Sequence, residues 1–153
     1  MHSKLGANQG MEAAFGAARA AGTAGEVPIG AAVVDAAGRV IAAAGNRVEA
    51  DGDPTAHAEL LALRAAAAAL GAQRLVDCDL YVTLEPCAMC AAAIALWRVR
   101  RLYFAAYDPK GGGVEHGPRI FGQPTCHHRP EIYGGIRESE AATLLQDFFK
   151  ARR

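Results

Sequence analysis

The stretch DLYVTLEPCAMCAAAIALWRVRRLYFAAY, residues 79–107, joins two apolar segments rich in aromatic residues through an alanine-rich one. DLYVTL is typical of a buried strand, EPCAMCAAAIALW of a helix with Pro86 near its first turn, and RLYFAAY of a second strand. A strand, a short helix and a strand in this order predict a right-handed crossover and a parallel strand pair. The sequence therefore predicts an α/β fold with a mixed central sheet.

The segments on either side of this unit predict the rest of the domain. Upstream, apolar spacing predicts a helix over 11–21, a hairpin of strands over 29–34 and 39–43, and a helix over 55–70 that ends at Gly71. Downstream, residues 108–133 are irregular, and a final amphipathic helix is predicted over 139–151. Because 153 residues suit one domain of ordinary size, we expect residues 1–153 to form a single domain.

Composition and the N-terminal sequence favour a folded cytoplasmic protein. Hydrophobic residues make up 52% of the chain and charged residues 21%, which is not the composition of a disordered protein. No apolar run approaches the roughly 18 uncharged residues that cross a bilayer. MHSKLGANQG also lacks the basic start and apolar middle of a secretory signal. In a reducing cytoplasm the four cysteines are more often metal ligands or buried thiols than disulfides.

Charge is distributed unevenly along a chain whose net charge is zero. Up to residue 96 there are six Lys and Arg against ten Asp and Glu, and from residue 97 onward there are ten against six. Zero net charge argues against a generic nucleic-acid binder, but a basic C-terminal half can attract a polyanion. Such asymmetry is also ordinary surface variation, so composition leaves both interpretations open.

Cys87 and Cys90 form half of a possible metal site. Residues three apart share a helix face, and the first turn places both sulfurs near the positive end of the helix dipole. This position favours the thiolate that binds metal, although redox pairs share the same spacing. His57, at the start of another predicted helix, is a plausible third ligand. Three protein ligands leave the fourth position open to water, as in a catalytic zinc site.

Glu59 lies two residues after His57, and on an ideal helix such positions point to different sides. Both can reach one site only if they straddle the N-terminal rim of the helix. Glu59 would then act as a general base beside the metal-activated water. In the alternative interpretation His57 is a core or capping histidine and Glu59 a surface charge. The PCxxC motif about 30 residues downstream favours the metal site.

TAHAE and TLEPCAMC together resemble the zinc-dependent cytidine deaminase superfamily, whose H-x-E and P-C-x-x-C signature belongs to base-flipping deaminases. Further segments are similar to the bacterial tRNA-specific adenosine deaminase family: EVPIGAAVV, GNR, DPTAHAE, DPKGGGVEHG, QPTCHHRPE and LLQDFFKARR. This resemblance implies a three-layer αβα cytidine-deaminase-like fold. It also implies hydrolytic deamination of adenosine to inosine at the wobble position of tRNA.

The resemblance further implies a role for each matching residue. His57, Cys87 and Cys90 would hold one Zn²⁺ per chain, and Glu59 would shuttle protons between zinc-bound hydroxide and the base. Contacts to the RNA are implied for a second set of residues: Asn46, Asp108, Lys110, Phe148, Phe149 and Arg152. The implied partners are the anticodon stem-loop of a tRNA and a second copy of the chain in a homodimer, with no membrane.

Two other functions fit the same motifs. The first is deamination of a free base or nucleoside of the guanine or cytosine type, with the same zinc core. The second is a non-catalytic zinc module that binds RNA, which would need Cys78 or Cys126 as a fourth ligand. The terminal FFKARR suits a polyanion and favours the tRNA substrate. Three residues depart from the family pattern beside the implied RNA groove: Trp97, Ala105 and Tyr107.

Overall fold

The computed structural model describes residues 4–152, with side chains from residue 9 onward, so the ends of the predicted domain, 1–3 and 153, lie outside the described residues. Five helices are formed in this range: α1 (Lys4–Thr23), α2 (Val48–Asp51), α3 (Ala58–Leu70), α4 (Ala88–Leu96) and α5 (Glu138–Lys150). The described strands are β1 (Gly30–Val34), β2 (Val40–Gly45), β3 (Asp79–Leu84), β4 (Arg101–Ala106) and β5 (Glu131–Tyr133), and a short 3-10 helix spans Ile120–Gly122.

The strands form one mixed sheet in the order β2-β1-β3-β4-β5. β1 pairs antiparallel with β2 and with β3, whereas β3 and β4 are parallel, with Leu80 opposite Leu102. The parallel pair predicted from the strand–helix–strand unit is therefore confirmed. β5, which pairs parallel with β4, was not expected, because three residues inside an irregular segment carry no periodic signal.

Helices cover both faces of the sheet. On one face α3 and α4 enclose a core that includes Leu63, Ile94 and Phe104. On the other face α1 and α5 pack on a second core that includes Phe15 and Tyr81. This arrangement confirms the three-layer αβα architecture. No helix among the described residues combines the length and the apolar composition needed to span a membrane.

Several predicted helix starts differ from the structure. Helix α4 begins at Ala88 rather than at 85, so Pro86 lies before its first turn. α1 begins at Lys4, seven residues before the predicted start. α3 begins at Ala58 rather than 55, because Asp53 Oδ1 accepts hydrogen bonds from the N–H of Thr55 at 2.8 Å and its hydroxyl at 2.7 Å. That turn leaves His57 in an extended conformation as the N-cap of α3. The predicted end at Gly71 is confirmed, and its left-handed backbone with φ 60° is one that glycine favours.

One edge of the sheet brings together the segments that carry the candidate site. Asn46 follows β2, Glu85 follows β3 and Tyr107 follows β4, and the start of the antiparallel β1 lies at the same edge. The N-termini of α3 and α4 face this edge as well, since His57 and Cys87 meet there. Ligands of open α/β sheets bind at the carboxyl ends of the parallel strands, so this edge is where a site is expected.

Candidate active site

The three predicted metal ligands come together between the N-termini of α3 and α4. Nδ1 of His57 lies 3.6 Å from Sγ of Cys87 and 3.5 Å from Sγ of Cys90. A tetrahedral zinc ion with Zn–N of about 2.05 Å and Zn–S of about 2.3 Å places N and S about 3.6 Å apart. Both nitrogen–sulfur distances therefore match those of a tetrahedral zinc site, and the three donor atoms all lie within 4.8 Å of one another.

Helix ends explain why these side chains converge. His57 and Cys87 are N-caps with extended backbone, at φ −78°, ψ 147° and φ −70°, ψ 174°. The His57 side chain makes no capping bond to its own helix, so its ring nitrogen remains available to a metal. The backbone N–H of Cys90 helps to lower the pKa of the Cys87 thiol. Cys90 follows in the first turn of α4 and is fully buried. From their cap positions the side chains of His57 and Cys87 extend beyond the helix ends. The side chain of Cys90 reaches them from the first turn of α4.

The two thiols differ in acidity because they share a hydrogen bond. The bond from Cys90 lowers the pKa of the Cys87 thiol to about 5, although burial alone would raise it. The same bond, followed by burial, raises the pKa of Cys90. In the metal-free protein the shared bond therefore favours ionisation of one thiol and retention of the proton by the other. Since both bind zinc as thiolates, metal binding is expected to release a proton.

Glu59 lies beside the cluster, with 4% of its surface exposed. Burial raises the pKa of this carboxyl to about 7, while its own backbone N–H opposes the shift. A cation bound at the cluster would lower the pKa again, because opposite charge favours the carboxylate. A carboxyl that is ionised or protonated with little cost near neutral pH is suited to proton transfer.

The spacing of His57 and Glu59 follows from where α3 begins. His57 precedes the first helical residue and has extended backbone, so the rule that residues two apart diverge on a helix does not apply to it. Glu59 is the second residue of α3, and both residues line one cavity. Ala58, Leu60 and Ala62 of the same helix are buried in the core.

A cavity of about 610 Å³ lies next to the cluster. Its walls are built from the loop before β1, the segment around α2, the loop after β4 and helix α5. It is lined by His57, Glu59 and Cys87 and by four of the residues implied to contact RNA, Asn46, Asp108, Phe148 and Arg152. The other two implied contacts, Lys110 and Phe149, are exposed and lie outside the set that lines it.

Asn46 and Asp108 both have structural bonds in the cavity wall. Asn46 Oδ1 accepts a hydrogen bond from the backbone N–H of Ala58 at 2.9 Å, at the first position of α3. Asp108 Oδ1 accepts bonds from the N–H groups of Lys110 at 3.2 Å and Gly111 at 3.0 Å, which shapes the turn after β4. The amide NH₂ of Asn46 remains as a donor suited to a purine or pyrimidine edge.

The last turn of α5 and the residues just after it combine aromatic rings with a cation. Arg152 Cζ lies 3.5 Å from the centre of the Phe148 ring, and Arg152 Nη1 donates to the Phe148 carbonyl at 3.2 Å. Phe149 stands edge-on to Phe148 with ring centroids 5.3 Å apart. Stacked rings and guanidinium groups are the surfaces on which single-stranded bases and phosphates bind.

Two buried carboxylates that no motif in the sequence indicated hold the cavity walls. Glu26 accepts bonds from the N–H groups of Glu49 at 3.0 Å and Ala50 at 2.8 Å, which fixes α2. Burial would raise the pKa of Glu85, but hydrogen bonds from Asp108, His116 and the residues between them hold it below its usual value. The available signal was position: each glutamate stands next to an apolar strand segment, where an unpaired charge would be costly.

The spare cysteines do not extend the metal cluster formed by the described residues. Cys78 is buried at the opposite edge of the sheet, before β3, where burial raises the pKa of its thiol to about 11. Cys126 donates a hydrogen bond from Sγ to the carbonyl of His128 at 3.1 Å. Neither provides the fourth ligand that a structural zinc module would need.

Comparison with known proteins agrees with this site. The family model described as the cytidine and deoxycytidylate deaminase zinc-binding region matches residues 6–106. The chain is 58% identical to the tRNA-specific adenosine deaminase of Agrobacterium fabrum, over 94% of this chain and 93% of that protein. It is 42% identical to the tRNA-specific adenosine deaminase of Bacillus subtilis, over 94% and 88% of the two chains.

Solved structures give the same relationship. A structure from biochemical and structural studies of A-to-I editing by tRNA:A34 deaminases at the wobble position of transfer RNA superimposes with a TM-score of 0.88. It is 58% identical and covers 90% of this chain and 99% of its own. A guanine deaminase from Nitrosomonas europaea is 29% identical, with a TM-score of 0.73 and coverage of 90% and 81%.

Proposed function

The chain belongs to the family that carries the cytidine and deoxycytidylate deaminase zinc-binding region, and from this premise we propose that it converts adenosine to inosine at the wobble position of tRNA. Two findings together support the proposal: the composition of the site and the similarity of the whole chain to one relative. The zinc-type cluster and Glu59 lie in one cavity, in a chain 58% identical to a tRNA-specific adenosine deaminase. A tRNA substrate would be met in the cytoplasm.

In the proposed reaction water replaces the 6-amino group of adenine, and ammonia leaves. His57, Cys87 and Cys90 hold the zinc ion. When bound, zinc lowers the pKa of a coordinated water from about 15.7 to about 7 and so supplies a nucleophile at neutral pH. Glu59 would accept a proton from the attacking water and deliver it to N1 of the ring. It would then accept the second proton, from the new C6 hydroxyl, and pass it to the amine, which leaves as ammonia. A single carboxyl can serve these transfers because it lies buried beside the metal ligands and can both accept and donate a proton.

The cavity walls bind the rest of the nucleotide in this proposal. A volume of about 610 Å³ lies within the range of small-molecule sites, so a flipped nucleoside fits it. The Asn46 amide contacts the base edge, and Asp108 with Lys110 borders the sugar–phosphate path. At the end of α5, Phe148 and Phe149 stack on neighbouring bases, and Arg152, just after the helix, pairs with phosphate.

The test is conversion of an anticodon stem-loop that carries a wobble adenosine. With zinc-loaded protein we expect inosine at that position, detected as an A-to-G change on sequencing, and no change in the same RNA with guanosine there. Free adenosine, guanine and cytosine are assayed in parallel by ammonia release. Rapid release from a free base with no inosine in the RNA would replace the tRNA substrate with the free-base alternative.

We also propose that the protein is a homodimer whose subunits meet at α4. This helix presents a strip of apolar and small side chains, Met89, Ala92 and Leu96, and Leu96 is 75% exposed. The strip borders a second cavity of about 310 Å³ that Ile120 and Cys126 also line. An exposed apolar strip next to a groove is typical of a surface that another protein covers. In a twofold-symmetric dimer the strip of one subunit would pack against the same strip of the other.

A charge on this strip should prevent dimerisation. Light scattering is expected to give a dimer for the unsubstituted protein and a monomer for Leu96→Glu, because a glutamate would be buried without a partner in the interface. Val76→Glu is the matched control, since Val76 is an apolar residue that is 55% exposed but lies outside α4. A Leu96→Glu protein that remains dimeric, or an unsubstituted protein that is monomeric, would rule out this interface.

A further inference from the structure

Glu85 is a carboxylate with 2% of its surface exposed, in the turn that leads to the metal ligands. It follows β3 directly and stands two residues before Cys87. Its backbone N–H donates to the carbonyl of Ala106 at 2.8 Å, which ties the end of β3 to the end of β4. The position of Glu85 is therefore fixed by the sheet, and its side chain is not part of the metal cluster described above.

Both carboxylate oxygens of Glu85 accept hydrogen bonds from a single segment, residues 108–116, which is called the 108–116 loop below. Oε1 accepts from the N–H of Asp108 at 3.0 Å and from Nδ1 of His116 at 2.8 Å. Oε2 accepts from three consecutive backbone N–H groups, those of Val114 at 3.1 Å, Glu115 at 2.8 Å and His116 at 3.1 Å. Five donors around one carboxylate replace the backbone pairing that an irregular loop lacks.

At Gly112 and Gly113 the 108–116 loop packs so closely on this turn that no side chain would fit. The N–H of Gly113 donates to the carbonyl of Pro86 at 2.8 Å. A Cβ atom at Gly112 would collide with the Glu85 carboxylate, and one at Gly113 with the backbone of Ala88. Residues 85–88, which lead into α4 and include Cys87, are called the metal turn. The contact between the 108–116 loop and the metal turn is therefore formed by backbone atoms and by the buried Glu85 carboxylate.

The same loop forms part of the cavity. Asp108 and Gly111 line the cavity beside Cys87, and the Asp108 carboxylate fixes the N–H groups of Lys110 and Gly111. Since Glu85 holds the N–H of Asp108, it sets the starting point of this wall. We infer that Glu85 is a positioning residue that fixes the 108–116 loop relative to the metal turn, so that the wall which receives the substrate keeps its place beside the zinc ligands. That this wall receives RNA rests on the proposed function.

Glu85→Gln tests this role at almost constant shape. The amide of glutamine has one oxygen, which accepts hydrogen bonds, and one NH₂ group, which only donates. In one orientation the NH₂ faces the three N–H groups around Oε2, and in the other it faces the N–H of Asp108. In either orientation donor therefore faces donor and hydrogen bonds are lost. Amides of the 108–116 loop are expected to exchange hydrogen at least about tenfold faster than in the unsubstituted protein, while amides of α4 and the zinc content stay unchanged. The KM for the anticodon stem-loop is expected to rise about tenfold to a hundredfold, with a smaller change in kcat.

Two further variants separate positioning from general stability. His116→Ala removes only the side-chain donor, so a smaller acceleration of loop exchange and a smaller rise in KM are expected, and it serves if Glu85→Gln does not fold. Asp35→Asn is the matched control: Asp35 also accepts two backbone bonds and an arginine bond, in the turn at the opposite edge of the sheet. It should leave both the KM and the exchange of the 108–116 loop at their original values.

Unchanged exchange of the 108–116 loop in both Glu85→Gln and His116→Ala would overturn the inference. So would a fall in kcat at constant KM, since that is what a smaller folded fraction produces. Failure of the unsubstituted protein to form inosine would overturn the proposed function instead. The exchange measurement needs no RNA, so it still decides whether Glu85 holds the loop in that case.

Discussion

A Glu59→Gln variant is expected to bind one zinc ion per chain and to deaminate the anticodon stem-loop about 10²- to 10⁴-fold more slowly than the unsubstituted protein. Glu59 is buried next to the zinc ligands, and this burial raises the pKa of its carboxyl to about 7. A carboxyl beside the metal ligands can take a proton from water and return it to the base, whereas an amide can do neither. The loss should therefore lie in kcat, with the KM for RNA changed little.

Zinc content and single-turnover rates measured on the same preparation check this prediction. Asp77→Asn is the matched control, because it neutralises an exposed carboxylate before β3, at the far edge of the sheet, and should keep the original rate. A Glu59→Gln protein that retains zinc and loses activity also excludes the non-catalytic zinc module. Full activity in the variant would show that another group moves the protons.

Strong local patterns made the centre of the fold predictable from the sequence. The unit β3–α4–β4 was identified with its parallel pairing, because its apolar segments have the length and composition of strands and helix and are separated by clear boundaries. The zinc ligands were candidates for a similar reason. A histidine and a Cys-x-x-Cys pair, each at a predicted helix start, is a rare combination of strong metal donors.

Features that depend on distant contacts were not predictable in the same way. Helix α2 has four residues, and the Glu26 carboxylate that holds it comes from more than twenty residues earlier in the chain. The start of α3 was misplaced because a side-chain turn at Asp53 outweighed the helix propensity of the residues after Pro54. The partners of Glu85 lie 23 to 31 residues downstream, so only the folded chain reveals them.

Cys90→Ser is expected to lower zinc affinity by at least about 100-fold and to leave no measurable deamination. Removing a group that only hydrogen-bonds to a metal ligand already lowers metal affinity by up to about 100-fold, so loss of a ligand should cost at least as much. Serine cannot supply the thiolate, because its hydroxyl stays protonated at neutral pH. The remaining pair, His57 and Cys87, would offer two ligands, which is too few for the tetrahedral site that their 3.6 Å separation fits.

The same substitution should also lower thermal stability in the presence of zinc. The ligands lie at the N-termini of α3 and α4, so a bound ion crosslinks two helices on one face of the sheet and stabilises only the folded chain. Zinc should therefore raise the melting temperature of the unsubstituted protein and have little effect on Cys90→Ser. Cys126→Ser is the control of the same chemistry, because Cys126 bonds to the His128 carbonyl away from the cluster. If Cys126→Ser loses zinc as Cys90→Ser does, or if Cys90→Ser keeps both zinc and its thermal effect, the assignment of the ligands is wrong.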